Sequence, residues 1–167
     1  LAAVLAAGCE IHDPGKAGNL VPKTVAEDPD RPALEVNGAR FHLETFGDIE
    51  NPIIILMHGG PGSDYRPMIS EIGGENASRY PDLREDDDGG LRRLADDYYL
   101  VFYDQRGAGL SERFDKSELS FEIYLDDLDA IIDHVLADKE QQTGIRDEQV
   151  ILFGWSFGGT LGTGYVN

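Results

Sequence analysis

The sequence predicts an α/β domain, a mostly parallel sheet flanked by helices, and three observations predict it. Three apolar runs, residues 53–57, 98–103 and 150–153, lack the alternation of half-exposed strands, as strands buried on both faces do. Each run ends in a glycine-containing loop. Between the second and third runs the apolar residues recur at helical spacing, the pattern of strands alternating with helices.

Taken in order, residues 1–9 read as the end of a lipoprotein signal peptide, in which small residues precede a cysteine that takes lipid, here Cys9. The chain lacks an initiating Met and a basic leading region, so its front reads as truncated. The expected location is extracytoplasmic, membrane-anchored through Cys9. The alternative is an ordinary thiol in an apolar leader on a cytoplasmic protein. Residues 10–32 hold Pro14, Gly15, Gly18, Pro22, Pro29 and Pro32 without a hydrophobic period and read as a flexible tether. The domain is expected over residues 33–167.

Residues 33–37 and 40–46 suit short strands joined at Asn37-Gly38, two residues that tolerate positive φ and so favour a tight hairpin. The stretch 70–97 is irregular. Its acid run at residues 85–88 reads as a solvated loop, or as a patch near the site mouth that attracts a substrate amine. Over residues 120–138, Phe121, Tyr124, Leu125, Leu128, Ile131, Ile132, Val135 and Leu136 form one apolar stripe. Ser120 is the expected N-cap. Asp126, Asp127, Asp129, Asp133 and His134 fall on the face expected to be solvated.

Composition removes several function classes. A formal net charge of −18, from 32 acids against 14 bases, repels phosphate backbones and argues against nucleic-acid binding. A single cysteine allows neither an internal disulfide nor a cysteine-based metal site. No run reaches the ~20 apolar residues of a spanning helix. No metal and no organic cofactor is implied, and oligomeric state is not legible.

The chemistry lies in the loops. Gly154-Trp155-Ser156-Phe157-Gly158 follows the third run. Glycines two residues either side of a serine let strand and helix approach closely, while the serine takes a strained conformation that exposes its hydroxyl. Ser156 is thus the candidate nucleophile, with Gly154 and Gly158 shaping its elbow. His58-Gly59-Gly60-Pro61-Gly62 follows the first run. Its backbone can aim amides at a developing oxyanion: the Gly60 amide, with Gly59 as the alternative, joins the Phe157 amide. Asp104-Gln105-Arg106-Gly107 follows the second run. There Asp104 and Arg106 are expected to pin neighbouring loops by hydrogen bonds and a partly buried ion pair.

These three motifs, in this order, resemble the proline iminopeptidase branch of the α/β-hydrolases, over residues ~36–167. The resemblance implies a serine hydrolase that cleaves an N-terminal residue, often proline, from peptides. It casts His58 as a loop-shaping residue. In that branch the nucleophile usually sits in Gly-Gly-Ser-Trp-Gly, whereas here Trp155 precedes Ser156 and Phe157 follows it. The same machinery serves carboxylesterases, lipases and lactonases, and a non-catalytic binding lipoprotein is a further alternative. Dehalogenases and epoxide hydrolases share the fold but carry Asp at the nucleophile position, against which Ser156 argues. The triad order of this fold is serine, acid, histidine. No acid and no histidine follows Ser156 before Asn167. His12, His42, His58 and His134 all precede it; His42 is expected to be a surface or packing residue. The 167-residue chain is therefore expected to be the N-terminal half of its domain, inactive alone, with a sheet that ends in an exposed edge and favours aggregation. Its expected partner is a peptide or a small ester or amide substrate.

Overall fold

The computed structural model describes residues 23–70 and 90–167. Cys9, the leader, most of the tether, the glycine pair at 73–74 and the acid run at 85–88 lie outside the described residues. Five strands form one sheet: β1 (Ala33–Val36), β2 (Ala39–Phe46), β3 (Ile53–Met57), β4 (Tyr99–Tyr103) and β5 (Ile151–Gly154). Three helices accompany them: α1 (Arg66–Ser70), α2 (Phe121–Thr143) and α3 (Phe157–Tyr165). The strand order is β1-β2-β4-β3-β5. Strands β4, β3 and β5 run parallel, whereas β1–β2 and β2–β4 pair antiparallel, so the sheet is mixed.

Local chemistry accounts for most elements. Asn37 (φ 47°) and Gly38 (φ 68°) both take positive φ, and Val36 pairs with Ala39, as a two-residue hairpin requires. Helix α2 starts at its expected cap, where the Ser120 side chain accepts from the Ile123 N–H. It runs beyond residue 138 because polar residues continue it, until Gly144 closes it in the left-handed conformation. Lys139, buried in that extension, donates to the Glu50 and Asn51 carbonyls and to Asp147 Oδ2, pinning the end of α2 to the β2–β3 loop. No helix of the described residues is long and apolar enough to cross a membrane.

The strand period of two sorts the core into two layers. Ile53, Ile55 and Met57 face α2 and α3, together with Val101, Tyr103, Leu128 and Ile131. Ile54 and Leu56 face α1, together with Tyr65, Met68 and Phe102. Strand β3 lies between β4, which follows it in sequence, and β5, which comes later. The chain thus leaves β3 to one side and returns on the other. That reversal opens a crevice beyond the carboxyl ends of β3 and β5, where open α/β sheets bind ligands.

Three expectations need correction. The third apolar run is only half-buried among the described residues: Ile151 and Phe153 are 47% and 36% exposed on the face they share with Ile54 and Leu56, and β5, which pairs there with β3 alone, is the exposed sheet edge expected of this chain. Order begins before Ala33. Val25 is fully buried and its N–H donates to the Leu110 carbonyl (2.8 Å), while the Thr24 N–H donates to Glu27 (2.9 Å). Residues 23–32 therefore dock on the domain, because one apolar side chain and one turn suffice to anchor them. Asp127 is not solvated: it is 1% exposed, on the flank of α2 that meets Arg106 and Asn37. Asp126, Asp129, Asp133 and His134 are exposed as expected.

Candidate active site

Ser156 is the residue between β5 and α3, with φ 53° and ψ −115°. A non-glycine residue holds this left-handed conformation only where its surroundings enforce it, at a cost of about 1–3 kcal/mol. The surroundings here are specific. The Trp155 N–H donates to the Met57 carbonyl (3.0 Å), which locks the end of β5 to the end of β3. A Cβ on Gly158 would overlap that same carbonyl, and one on Gly154 would overlap the Gly158 backbone. Both glycines are therefore required by close approach, as their spacing predicts. The Ser156 side chain stands exposed at the N-cap of α3 without capping the helix. Phe157, the first helical residue, has no acceptor for its N–H within the helix. Its ring is held edge-on by Phe121 (6.3 Å) and Tyr124 (5.6 Å), which fixes the backbone that carries that amide.

The loop at 58–62 lies beside the serine. A Cβ on Gly59 would sit 3.3 Å from Ser156 Cβ and 3.9 Å from its Oγ. Gly60 takes φ 116°, and a Cβ there would meet the Gly62 and Ser63 nitrogens at 2.8 and 2.9 Å. Ser156 borders two concavities. One, of about 280 Å³, is walled by Gly59, Gly60, Asp64, Met68 and Trp155. The other, of about 730 Å³, runs along α3 past Phe121, Thr160 and Thr163.

His58 is buried and both ring nitrogens are engaged. The Gln105 N–H donates to Nε2 (2.9 Å), so the ring proton sits on Nδ1 and donates to the Gly59 carbonyl (2.7 Å). Burial lowers its pKa from the ordinary histidine value, against smaller raising effects of the Gly59 carbonyl and the Asp104 and Asp64 carboxylates. A neutral imidazole so engaged shapes the loop and leaves no nitrogen for the serine. His42 is also unavailable: it is buried, stacked on Tyr65 (5.4 Å), with Nδ1 3.4 Å from Asp104 Oδ2.

The loop after β4 is the brace. Asp104 accepts from the Tyr65 N–H (3.0 Å) and the Leu110 N–H (2.7 Å). Arg106 grips Asp127 through Nε (2.8 Å) and Nη2 (2.6 Å) and also donates to the Asn37 carbonyl. The ion pair is more deeply buried than expected, at 6% and 2% side-chain exposure. Two residues escaped the sequence reading. Gln105 binds His58 at both ends, its Nε2 donating to the His58 carbonyl (2.8 Å). Asp64 is, among the described residues, the one charged group lining either concavity. Burial pushes its carboxyl pKa up, but hydrogen bonds from Arg66 outweigh that and hold it below the usual range. No group of residues that could hold a metal ion occurs among the described residues.

The same fold is found in solved structures. A proline iminopeptidase-related protein of Thermus thermophilus superposes with a TM-score of 0.59 at 20% identity, over 80% of this chain and 38% of that one. The chain has part of the α/β-hydrolase fold. The family described as serine aminopeptidase, S33, matches residues 91–167 of this chain. The proline iminopeptidase PfmaB of Pestalotiopsis fici is 29% identical over 133 residues, which are 80% of this chain and 37% of that protein. A Vigna radiata epoxide hydrolase shares the fold with a TM-score of 0.55 at 22% identity, over 80% of this chain and 33% of its own. The chain thus spans about a third of the length of these relatives.

Proposed function

We propose that this chain carries the nucleophile and oxyanion hole of a serine hydrolase of peptidase type. The observation that carries the reading is Ser156, strained and exposed at an elbow whose glycines are required by close approach, beside the loop at 58–62. In this reading Ser156 Oγ attacks a carbonyl, the Gly60 and Phe157 amides hold the oxyanion, and water later releases the acyl group. Gly154 and Gly158 shape the elbow, His58 shapes the oxyanion loop, and Asp104 and Arg106 hold its neighbour.

One observation favours a free-amine substrate, as an aminopeptidase takes, over a plain ester. PfmaB is a proline iminopeptidase. The triad acid and base are proposed to come from sequence outside residues 1–167, since His42 and His58 are engaged and His134 lies on the exposed face of α2. The isolated 167-residue chain is accordingly proposed to be inactive. On residues 1–9 alone we place the protein outside the cytoplasm, anchored by lipid on Cys9, which radiolabelled palmitate would detect.

The test is fluorophosphonate labelling of the whole protein that carries this chain, with Ser156→Ala as control. Labelling is expected at Ser156, with hydrolysis of aminoacyl p-nitroanilides abolished in the variant. An unlabelled wild type would identify a binding module. Hydrolysis of p-nitrophenyl esters without aminoacyl anilides would make it an esterase.

A further inference from the structure

An amide in a glycine loop serves an oxyanion only if its peptide plane is held, and glycine holds nothing by itself. We propose that Gln105 is a positioning residue for the Gly60 amide and acts through His58. The inference rests on the oxyanion role proposed for Gly60. The Gly59 carbonyl and the Gly60 N–H belong to one planar trans peptide, so they point to opposite sides. His58 Nδ1–H holds the Gly59 oxygen at 2.7 Å, which turns the Gly60 N–H away from the ring. The ring could defeat this by carrying its proton on Nε2 or by rotating. Gln105 removes both freedoms. Its backbone N–H occupies Nε2 (2.9 Å), which selects the Nδ1–H tautomer. Its side-chain amide holds the His58 carbonyl (2.8 Å), which fixes the backbone behind the ring.

The side-chain orientation of Gln105 is dictated rather than fortuitous. The residue is 2% exposed, and its Oε1 accepts no hydrogen bond among the described residues. Flipping the amide would set oxygen against the His58 carbonyl oxygen. Its neighbours are committed elsewhere, Asp104 to Tyr65 and Leu110 and Arg106 to Asp127. A glutamate here would lack the donor, and an aliphatic residue would leave the carbonyl free.

Two measurements test the proposal. In the whole protein that carries this chain, the ring nitrogen shifts of His58 are expected to show the proton on Nδ1. A proton on Nε2 overturns the proposal. In the whole protein, turnover of p-nitrophenyl acetate is counted per fluorophosphonate-labelled Ser156, so that misfolded molecules drop out. Gln105→Met is expected to lower kcat about tenfold or more with KM little changed, because a transition-state donor is misplaced. His58→Ala should lose at least as much. His58→Asn, whose amide can replace Nδ1–H, should regain part. Unchanged turnover per labelled site in Gln105→Met refutes the role of Gln105 and leaves the hydrolase reading standing. Failure of the wild type to label at Ser156 refutes that reading and this one with it.

Discussion

The loops that leave β3 and β4 lie side by side at one end of the sheet, yet they are built in opposite ways. The loop at 104–111 braces itself. Asp104 accepts two backbone N–H groups, the Ala108 N–H returns to the Gln105 carbonyl, and the Ser111 N–H returns to the Ala108 carbonyl. Arg106 ties it to α2. The loop at 58–62 has little of this. Gly60 is exposed, and the side-chain hydrogen bonds that hold this loop run from His58 and Gln105. The difference teaches that the part meant to face a ligand is left nearly free of internal bonds and borrows its rigidity from a neighbour. Substitutions should therefore separate stability from activity according to the loop they strike.

The largest effect on stability is expected at Arg106. Arg106→Ala leaves the Asp127 carboxylate buried without its counter-charge, a defect of about 3–5 kcal/mol. Against a total stability of roughly 5–15 kcal/mol for a domain, that is enough to unfold much of the protein. Chemical denaturation checks this. The pair Arg106→Met with Asp127→Leu should recover most of the loss, since a buried pair is replaced more cheaply than broken. A single variant that loses under about 1 kcal/mol, the scale of an exposed pair, would erase the contrast between the loops.

Gly60→Ala should show the reverse signature. Its φ of 116° and the crowding by the Gly62 and Ser63 nitrogens strain any side chain, at about 1–3 kcal/mol. Displacing one oxyanion donor typically lowers kcat by roughly 10²–10³-fold. The whole protein should therefore stay folded by denaturation while turnover per labelled Ser156 collapses. Equal turnover in the variant would remove Gly60 from the oxyanion hole and point to Gly59.

What the sequence discloses follows the range of the interactions involved. The hairpin at Asn37-Gly38, the cap at Ser120 and the elbow at Gly154–Gly158 are local, and each is legible from adjacent residues. The apolar runs of β3 and β4 are legible because both their faces are covered. Strand β5 is apolar in the same way, but burial depends on what lies across it, which no run of residues states. Asp127 was misplaced because its partners Arg106 and Asn37 lie 21 and 90 residues away. Gln105 escaped notice for the same reason, its partner being 47 residues distant. Ser156 and Gly60 are legible as a type of site. Asp64 is not, because nothing near it in sequence shows that it lines the same pocket.

The smallest expected effect is the dependence of stability on pH through His58, and it sharpens the contrast by asking whether the clasp needs a neutral ring. The folded pKa lies below the ordinary value of 6.5, chiefly because burial disfavours the charged form. The unfolded chain therefore takes up the proton first as pH falls. Stability is full above 6.5, declines as pH drops beneath it, and is lost through the lower folded value. The Asp64 carboxyl, also lowered, acts in a separate window beneath 3.8. Urea denaturation of wild type and His58→Asn, compared at about pH 7.5 and about pH 5, on either side of the ordinary histidine value, isolates the contribution. The wild type should lose more stability than the variant between those values. An equal loss in both would mean that protonation does not disturb the ring, and that Gln105 N–H is not held by an unprotonated Nε2.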